Sequence, residues 1–288
     1  MFQMVRVLLI ATILLTSCDA FDVKGFVTPT SDIVNKRFEQ SMSLHGNKAV
    51  ATINADEAYT FYVCTDPHIN STYYNLREFN NRLRNSSARF GIILGDCTDH
   101  INAFPKYAEA IKHIDDDVHA SDLPIFSLIG NHDLYFDGWN EYFKLLGTSV
   151  YWFDVKFDTG RDLFIALDSA SGTLGNKQMT WLKNFLTAER EKYRHCVVLT
   201  HTHLFYTDNS QEGAGNMALE ETAVLTELFS RHKVTLCLQG HDHYREDLTF
   251  GGVRYTIIGS IRDEIPNPEY LTIRLSNSGA EYQWAYIE

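Results

Sequence analysis

Five short polar clusters carry residue types that can hold metal ions: Asp66-Pro67-His68, Gly95-Asp96-Cys97-Thr98-Asp99, Gly130-Asn131-His132-Asp133, the lone His201, and Gly240-His241-Asp242-His243. Together they offer carboxylate, imidazole and amide donors, the mixed oxygen and nitrogen set suited to divalent transition metals. Each cluster alone is weak: Gly-Asn-His is ordinarily a turn, and a His-x-His pair is often a surface feature. Their placement gives them weight, because each stands just beyond the end of an apolar run. The glycines at 95, 130 and 240 permit tight turns and close backbone approach.

The runs that must position these clusters are Tyr59–Cys64 and the stretches 90–94, 125–129, 163–167, 196–200 and 234–238. They are nearly continuous in apolar character, as strands covered on both faces are. Helical patterns alternate with them: Met179, Leu182, Phe185 and Leu186 share one face, and Val224, Leu225, Leu228 and Phe229 another. Ser31 is placed to cap a helix presenting Ile33, Val34, Phe38 and Met42. Strands alternating with helices predict an α/β fold. From Gly251 onward the chain turns β-rich, with strand patterns at 254–258, 270–275 and 281–287 and a turn signal at Ser276-Asn277-Ser278-Gly279. In α/β sheets the carboxyl ends of the strands are where ligands bind, and that is where the clusters fall.

In this order the clusters resemble the calcineurin-like metallophosphoesterase superfamily, whose pattern is D-x-H, G-D-x-x-D, G-N-H-D/E, a lone H, and G-H-x-H. The match spans residues 66–243, with every position filled. Leu167-Asp168-Ser169 and the stretch 178–182 resemble the branch containing purple acid phosphatases and cyclic-nucleotide phosphodiesterases, although ordinary packing explains them equally well. The resemblance implies an αββα sandwich of two mixed sheets flanked by helices, with a β-rich C-terminal segment. It implies two divalent metal ions, manganese, iron or zinc. Asp66, His68, Asp96 and His243 would hold one, and Asp96, Asn131, His201 and His241 the other, with Asp96 shared. Two such metals about 3.5–4 Å apart hold a bridging hydroxide that attacks phosphorus. His132 would be catalytic, facing the phosphate, and Asp99 would orient it and favour its protonated form; the plainer reading of Asp99 is a helix cap. Asp133 would be structural. Two positions depart from relatives. His203 stands where proline is common, and Asp99 stands where purple acid phosphatases carry an iron-binding tyrosine.

Other histidines are less informative. His100 and His203 adjoin the motifs and are candidates for substrate contact, whereas His45, His113, His119, His195 and His232 read as solvated. The polar loop 205–219 and the segment 100–120 are candidates for substrate selection.

The chain of 288 residues is long enough to bury a sizeable core without disulfides. Its formal net charge of -12 argues against nucleic acid as a partner. A small phosphorylated substrate remains compatible, because bound cations reverse the local potential. Residues 1–17 read as a signal peptide, with basic Arg6, a short apolar stretch and small residues before Cys18. Leu15-Thr16-Ser17-Cys18 resembles a bacterial lipobox. The expectation is therefore an exported lipoprotein anchored to a membrane through lipid on Cys18, with a tether over 18–30 and one domain over 31–288. Cys64, Cys97, Cys196 and Cys237 lie in or at the ends of apolar runs and read as buried free thiols.

The sequence thus points to a metal-dependent phosphoesterase acting on a monoester or diester. The alternative is a non-catalytic surface lipoprotein that keeps the fold as a binding module, although degenerate relatives usually lose ligands and none is lost here. Ester or amide hydrolysis is disfavoured, because common single-zinc hydrolases use three protein ligands and one open position.

Overall fold

Along β2, Tyr59–Cys64, alternate side chains enter two different buried layers. Tyr59, Phe61 and Val63 face one core, while Cys64 and the partly buried Tyr62 face another. The same division holds along β6 (Gly160–Ala166), β7 (Cys196–Leu199) and β8 (Leu236–Gln239). Phe164, Val197 and Leu238 turn inward, and Ile165, Val198 and Cys237 turn outward. A strand with a core on each side needs apolar residues at every position, which is why these runs lack polar alternation.

The computed structural model describes residues 30–112, 123–205 and 217–288, the side chains of 30–32 and 112 apart. The signal peptide, Cys18, His113, His119, Tyr206 and most of the 205–219 loop lie outside the described residues.

Two mixed sheets face each other. The larger has seven strands in the order β1-β5-β6-β7-β8-β10-β9, and the smaller has five in the order β12-β11-β2-β3-β4. The remaining strands are β1 (Thr52–Asn54), β3 (Gly91–Ile93), β4 (Ile125–Ser127), β5 (Tyr151–Phe157), β9 (Glu246–Phe250), β10 (Val253–Ile257), β11 (Glu269–Ser276) and β12 (Gly279–Tyr286). Within the smaller sheet β2, β3 and β4 are parallel. Within the larger, β6, β7, β8 and β10 are parallel. Each sheet therefore gathers several carboxyl ends on one edge. Aromatic rings fill the space between the sheets: Phe126 stacks on Phe153 at 3.8 Å, Phe153 on Phe164 at 4.8 Å, and Phe61 on Phe90 at 5.0 Å. Offset ring pairs of this kind add to the stabilisation from burial alone.

Helices cover the outer faces. Leu182, Phe185 and Leu186 of α5 (Gly175–Glu189), with Leu225, Leu228 and Phe229 of α6 (Leu219–Arg231), pack on the larger sheet. Leu76, Phe79 and Leu83 of α2 (Tyr74–Arg84), with Tyr107 and Ala110 of α3 (Phe104–Lys112), cover the smaller. The short α4 (Gly138–Leu145) contributes Tyr142 to a further cluster. Val224 does not share the buried face of α6; it is exposed, one position around the helix from Leu225.

The first helix, α1, runs Thr30–His45, so Ser31 lies inside it rather than capping it. Val34 and Phe38 are buried as expected, but so are Asn35, Arg37 and Ser41. Arg37 forms a bidentate pair with buried Asp168, Nε to Oδ2 at 2.7 Å and Nη2 to Oδ1 at 2.9 Å. Ser149 also donates to Asp168 Oδ2 at 2.9 Å. The helix is thus fastened by this charge network as well as by apolar packing. His45 and His195 are likewise not simply solvated: their Nε2 atoms lie 2.9 Å from Val150 O and 2.8 Å from Ser276 O. The four cysteines are buried thiols without disulfides, Cys64 and Cys97 in one core layer and Cys196 and Cys237 in another. No helix among the described residues is long and apolar enough to cross a membrane.

Candidate metal centre

The loops after β2, β3 and β4 meet those after β7 and β8 where the two sheets abut. Two cross-sheet contacts fix this meeting. The backbone N–H of His241 donates to Asp66 Oδ2 at 3.0 Å, and His201 Nδ1 lies 2.9 Å from Leu94 O. The crowding of these loops leaves no room for a β-carbon at Gly95, Gly130 or Gly240. A Cβ on Gly130 would sit 2.1 Å from Asp96 Oδ1, and one on Gly95, whose φ is +102°, would sit 2.7 Å from His201 Nδ1.

Asp66, His68, Asp96, His241 and His243 have φ values of 52°, 46°, 49°, 79° and 58°. Each sits in the left-handed region, which costs a residue with a β-carbon about 1–2 kcal/mol. Strain gathered this way marks functional sites, and here it turns successive donors toward one point.

Asp66 is fully buried. Its Oδ2 accepts from Thr65 Oγ1 at 2.5 Å as well as from the His241 N–H. Its Oδ1 has no hydrogen-bond partner and lies 3.3 Å from His243 Nε2 and 3.7 Å from His68 Nε2. His68 Nδ1 lies 2.7 Å from Asp99 Oδ1, so that nitrogen carries the proton and the Nε2 lone pair faces inward, 3.1 Å from His243 Nε2. On the other side Leu94 O takes the Nδ1 proton of His201. The Nε2 lone pair of His201 then faces Asn131 Oδ1 at 3.0 Å, because the Asn131 amide nitrogen donates to Tyr135 Oη at 3.3 Å. Buried His241 Nε2 also lacks a partner.

In their neutral forms these groups would therefore point lone pairs at one another at two neighbouring points, with Asp96 between them. Its Oδ1 is 3.4 Å from His201 Nε2 and its Oδ2 is 3.6 Å from His68 Nε2. Asp66, His68 and His243 form one cluster with metal-binding geometry, and Asp96, His201 and His241 form another. The donor set fits divalent metal ions: buried, acceptor-rich and incompletely satisfied by the protein alone.

The electrostatics agree. Burial works against charge on Asp66, Asp96, His68, His201 and His241. Asp66 is nevertheless held well below the usual carboxylate range by His243 and His68, and Asp96 is lowered by His201. Burial also opposes charge on His68, but the carboxylates of Asp66 and Asp99 carry its pKa up to about 10. Asp96 similarly carries His201 up to about 9. Burial and the nearby His201 charge push His241 down to about 4. Without cations, protons take up the role of counter-charge to the carboxylates.

His132 lies beside the cradle. Its ring meets His68 edge-on at 4.5 Å, and its side chain is 34% exposed where that of His201 is fully buried. Its backbone N–H donates to Asp96 Oδ1 at 2.8 Å. Asp99 faces both His68 and His132, with His68 as its hydrogen-bonding partner. His132 Nδ1 is 3.6 Å from Asp99 Oδ1. His132 is not favoured in its protonated form. Burial lowers its pKa, and the nearby charge on His68 adds to this against the pull of Asp96 and Asp99. Asp133 plays the expected structural part, accepting from the backbone N–H groups of Cys97, Thr98 and Gly130 at 3.1, 3.0 and 2.9 Å.

His203 is fully buried and faces Asp242 at 3.2 Å, so it is not placed to touch substrate. His100, at the surface, lies 3.1 Å from Asn70 Oδ1. Several supports were invisible in the motifs. Ser169 Oγ accepts from the N–H groups of His201 and Thr202, both at 3.0 Å. Gln178 brackets Asp168 through its N–H and C=O, both at 2.9 Å. Ser260 Oγ, in the loop after β10, donates to Asp66 O at 2.7 Å. The dipeptide Asp168-Ser169 and the helix start carrying Gln178 were legible as a pattern; Ser260 had no sequence signal.

A sandwich of two mixed sheets with an acidic, histidine-rich cradle at their carboxyl edge defines a metallophosphoesterase fold. The chain belongs to the calcineurin-like phosphoesterase family, whose sequence model matches residues 59–245. No curated protein matches it in sequence. Among the solved structures that share its fold, three have a TM-score of 0.60. A dimetal phosphatase from Danio rerio is 14% identical, covering 81% of this chain and 100% of its own. The purple acid phosphatase PPD1 from yellow lupin seeds is 15% identical and covers 81% of this chain, which spans about half (52%) of the lupin chain. GAP50, the anchor in the inner membrane complex of Plasmodium, is 15% identical, covering 80% of this chain and 84% of its own.

Proposed function

We propose that the protein is a binuclear metal-dependent phosphoesterase that hydrolyses a small phosphomonoester or phosphodiester. The observation that carries this reading is the division of Asp96, whose two oxygens each face one histidine of a separate donor cluster. A carboxylate so placed is suited to bridging two cations. Asp66, His68 and His243 would complete one site, and Asn131, His201 and His241 the other. Divalent cations bound there, whether manganese, iron or zinc, would polarise phosphate oxygens and make a hydrolytic water acidic.

The chain's own contribution is orientation and proton handling. Asp99 and Leu94 O would fix the tautomers of His68 and His201, so that lone pairs rather than N–H groups face the metal positions. His132, half-exposed beside the cradle, is placed to pass a proton to the leaving oxygen or to hydrogen-bond the phosphate. The family supplies the prior for this chemistry, and the intact donor set supports it against a non-catalytic binding role of the kind suggested by the anchor GAP50. The lipobox-like Leu15–Cys18 stretch extends the reading to location: lipid on Cys18 would hold the domain at a bacterial membrane, on its exported side.

A panel of phosphomonoesters and phosphodiesters, assayed with manganese, iron and zinc and again after chelation, tests the activity. Turnover that requires metal and disappears with chelator is expected. A fully metallated protein inert toward both ester classes would favour the binding module.

A further inference from the structure

The rim beside His132 carries aromatic surface that hydrolysis itself does not use. Tyr135 is 45% exposed and Phe136, next in sequence, is 52% exposed. The backbone that presents them is unusual. Between His132 and Asp137 the chain leaves helical geometry at Tyr135, with φ −64° and ψ 143°, and enters the left-handed region at Phe136, with φ 55°, and at Asp137, with φ 65°. Non-glycine residues held this way are strained, and such strain collects where a side chain must be presented in one direction. Both ends of the segment are fastened, by Asp133 to three backbone N–H groups and by Gly138, where a Cβ would sit 2.2 Å from Asp133 O.

The ring of Tyr135 lies 4.8 Å from that of His132, inclined at 49°. Its hydroxyl accepts from the Asn131 amide nitrogen at 3.3 Å, on the side of Asn131 turned away from His201. The phenol oxygen is thus occupied at the edge of the cradle, while much of the ring remains open to solvent. The chain is acidic overall, with a net charge of -12. Grip on a substrate beyond its reacting phosphate is therefore better supplied by stacking than by further charge.

We propose that Tyr135 is a specificity-determining residue, its ring forming a stacking wall for a flat aromatic ring carried on the ester group of the substrate. The inference rests on the phosphoesterase reading above and adds a substrate class to it: phosphoesters of nucleosides or of aryl alcohols rather than of aliphatic ones.

The test is equilibrium binding to the metal-loaded protein, using probes that cannot turn over. Methylphosphonate lacks a ring, phenylphosphonate carries an aryl ring, and the phosphonate analogue of adenosine monophosphate carries a nucleobase. A ring-bearing probe is expected to bind about tenfold tighter than methylphosphonate, the size of one aromatic stacking contact. Tyr135→Leu should erase that gain measured against methylphosphonate in the same variant, while Tyr135→Phe, which loses the same hydroxyl, should keep it. The probe that gains more distinguishes a nucleoside from an aryl ester. A ring gain that survives Tyr135→Leu overturns the proposal. So does an equal loss for all three probes in both variants, which would assign Tyr135 to holding Asn131. If inorganic phosphate and methylphosphonate both fail to bind the metal-loaded wild type, the phosphoesterase reading itself fails. If they bind but rings add nothing, the stacking wall alone fails.

Discussion

Asp99 Oδ1 lies 2.7 Å from His68 Nδ1, on the face of the imidazole turned away from the metal cradle. A carboxylate behind a ligating histidine fixes its tautomer and raises its basicity, and losing such a partner typically costs about 10–100-fold in metal affinity. Asp99→Asn should therefore weaken metal binding by roughly that factor, read by competition with a chelating dye. If Asp99→Asn keeps full metal affinity and loses only turnover, the carboxylate acts through His132 instead.

His132 lies at the open edge of the cradle, its side chain 34% exposed and its Nε2 4.0 Å from Asp96 Oδ2. His132→Ala should keep its metal content, measured by elemental analysis, and lose roughly 10²–10⁴ in kcat, the range for a positioned acid or base. The loss should shrink for esters of acidic alcohols such as nitrophenol if His132 protonates the leaving oxygen. A uniform loss across leaving groups would assign it to hydrogen bonding with the phosphate.

Asp96 stands between the two donor clusters, and its Oδ1 also accepts the His132 backbone N–H. Asp96→Asn should reduce occupancy of both metal positions together and abolish turnover. Loss of a single equivalent of metal, with the other retained at normal affinity, would show that the carboxylate does not bridge.

Much of this arrangement was legible because the chemistry is local in sequence. A strand buried on both faces is continuously apolar, so the polar residues after Cys64, Leu94, Ile129, Thr200 and Leu238 stand out sharply. The roles were less legible. That Asp99 serves His68 depends on ring orientations fixed by three separate loops, which no spacing reveals. The left-handed backbone at Asp66, His68, Asp96, His241 and His243 leaves only a faint mark in residue type, because Asp and His are enriched at positive φ far less than glycine is. Among the strands, β1, β5 and β9 escaped notice. β1 has three residues, and β9 is mostly polar at the sheet edge, with only Leu248 and Phe250 apolar. β5 has Asp154 and Lys156 within an otherwise apolar and aromatic run, and Asp154 is buried against Thr52 and Arg161. The Arg37–Asp168 pair joins residues 131 positions apart, beyond the reach of any periodicity.

His203 occupies a place where relatives often carry proline, and its partner explains why the exchange is tolerated. Asp242, between the two histidines of the last motif, is buried, and His203 Nε2 is 3.2 Å from its Oδ2. Burial pulls the His203 pKa down while Asp242 pulls it up. His203→Leu would leave a buried carboxylate without this neighbour and should cost about 3 kcal/mol in urea unfolding. Pairing it with Asp242→Leu should recover part of that loss, since an apolar pair can replace a buried polar one. A double variant less stable than either single would show that the two residues are not coupled in this way.

In purple acid phosphatases a tyrosine at the position of Asp99 binds ferric iron and gives the protein its colour. Here the shorter carboxylate reaches the outer nitrogen of His68 instead. The described tyrosine beside the cradle is Tyr135, whose hydroxyl meets the amide nitrogen of Asn131 and not its oxygen, the atom turned toward His201. No phenolate is thus positioned to replace a carboxylate or imidazole donor among the described residues of the cradle. The remaining oxygen and nitrogen donors do not select strongly among manganese, iron and zinc, so metal supply would decide occupancy. The iron-loaded, oxidised protein should therefore show no strong visible charge-transfer band. A band that appears on oxidation and disappears in Tyr135→Phe would overturn this, and would also require the Tyr135 hydroxyl to leave Asn131 when metal binds.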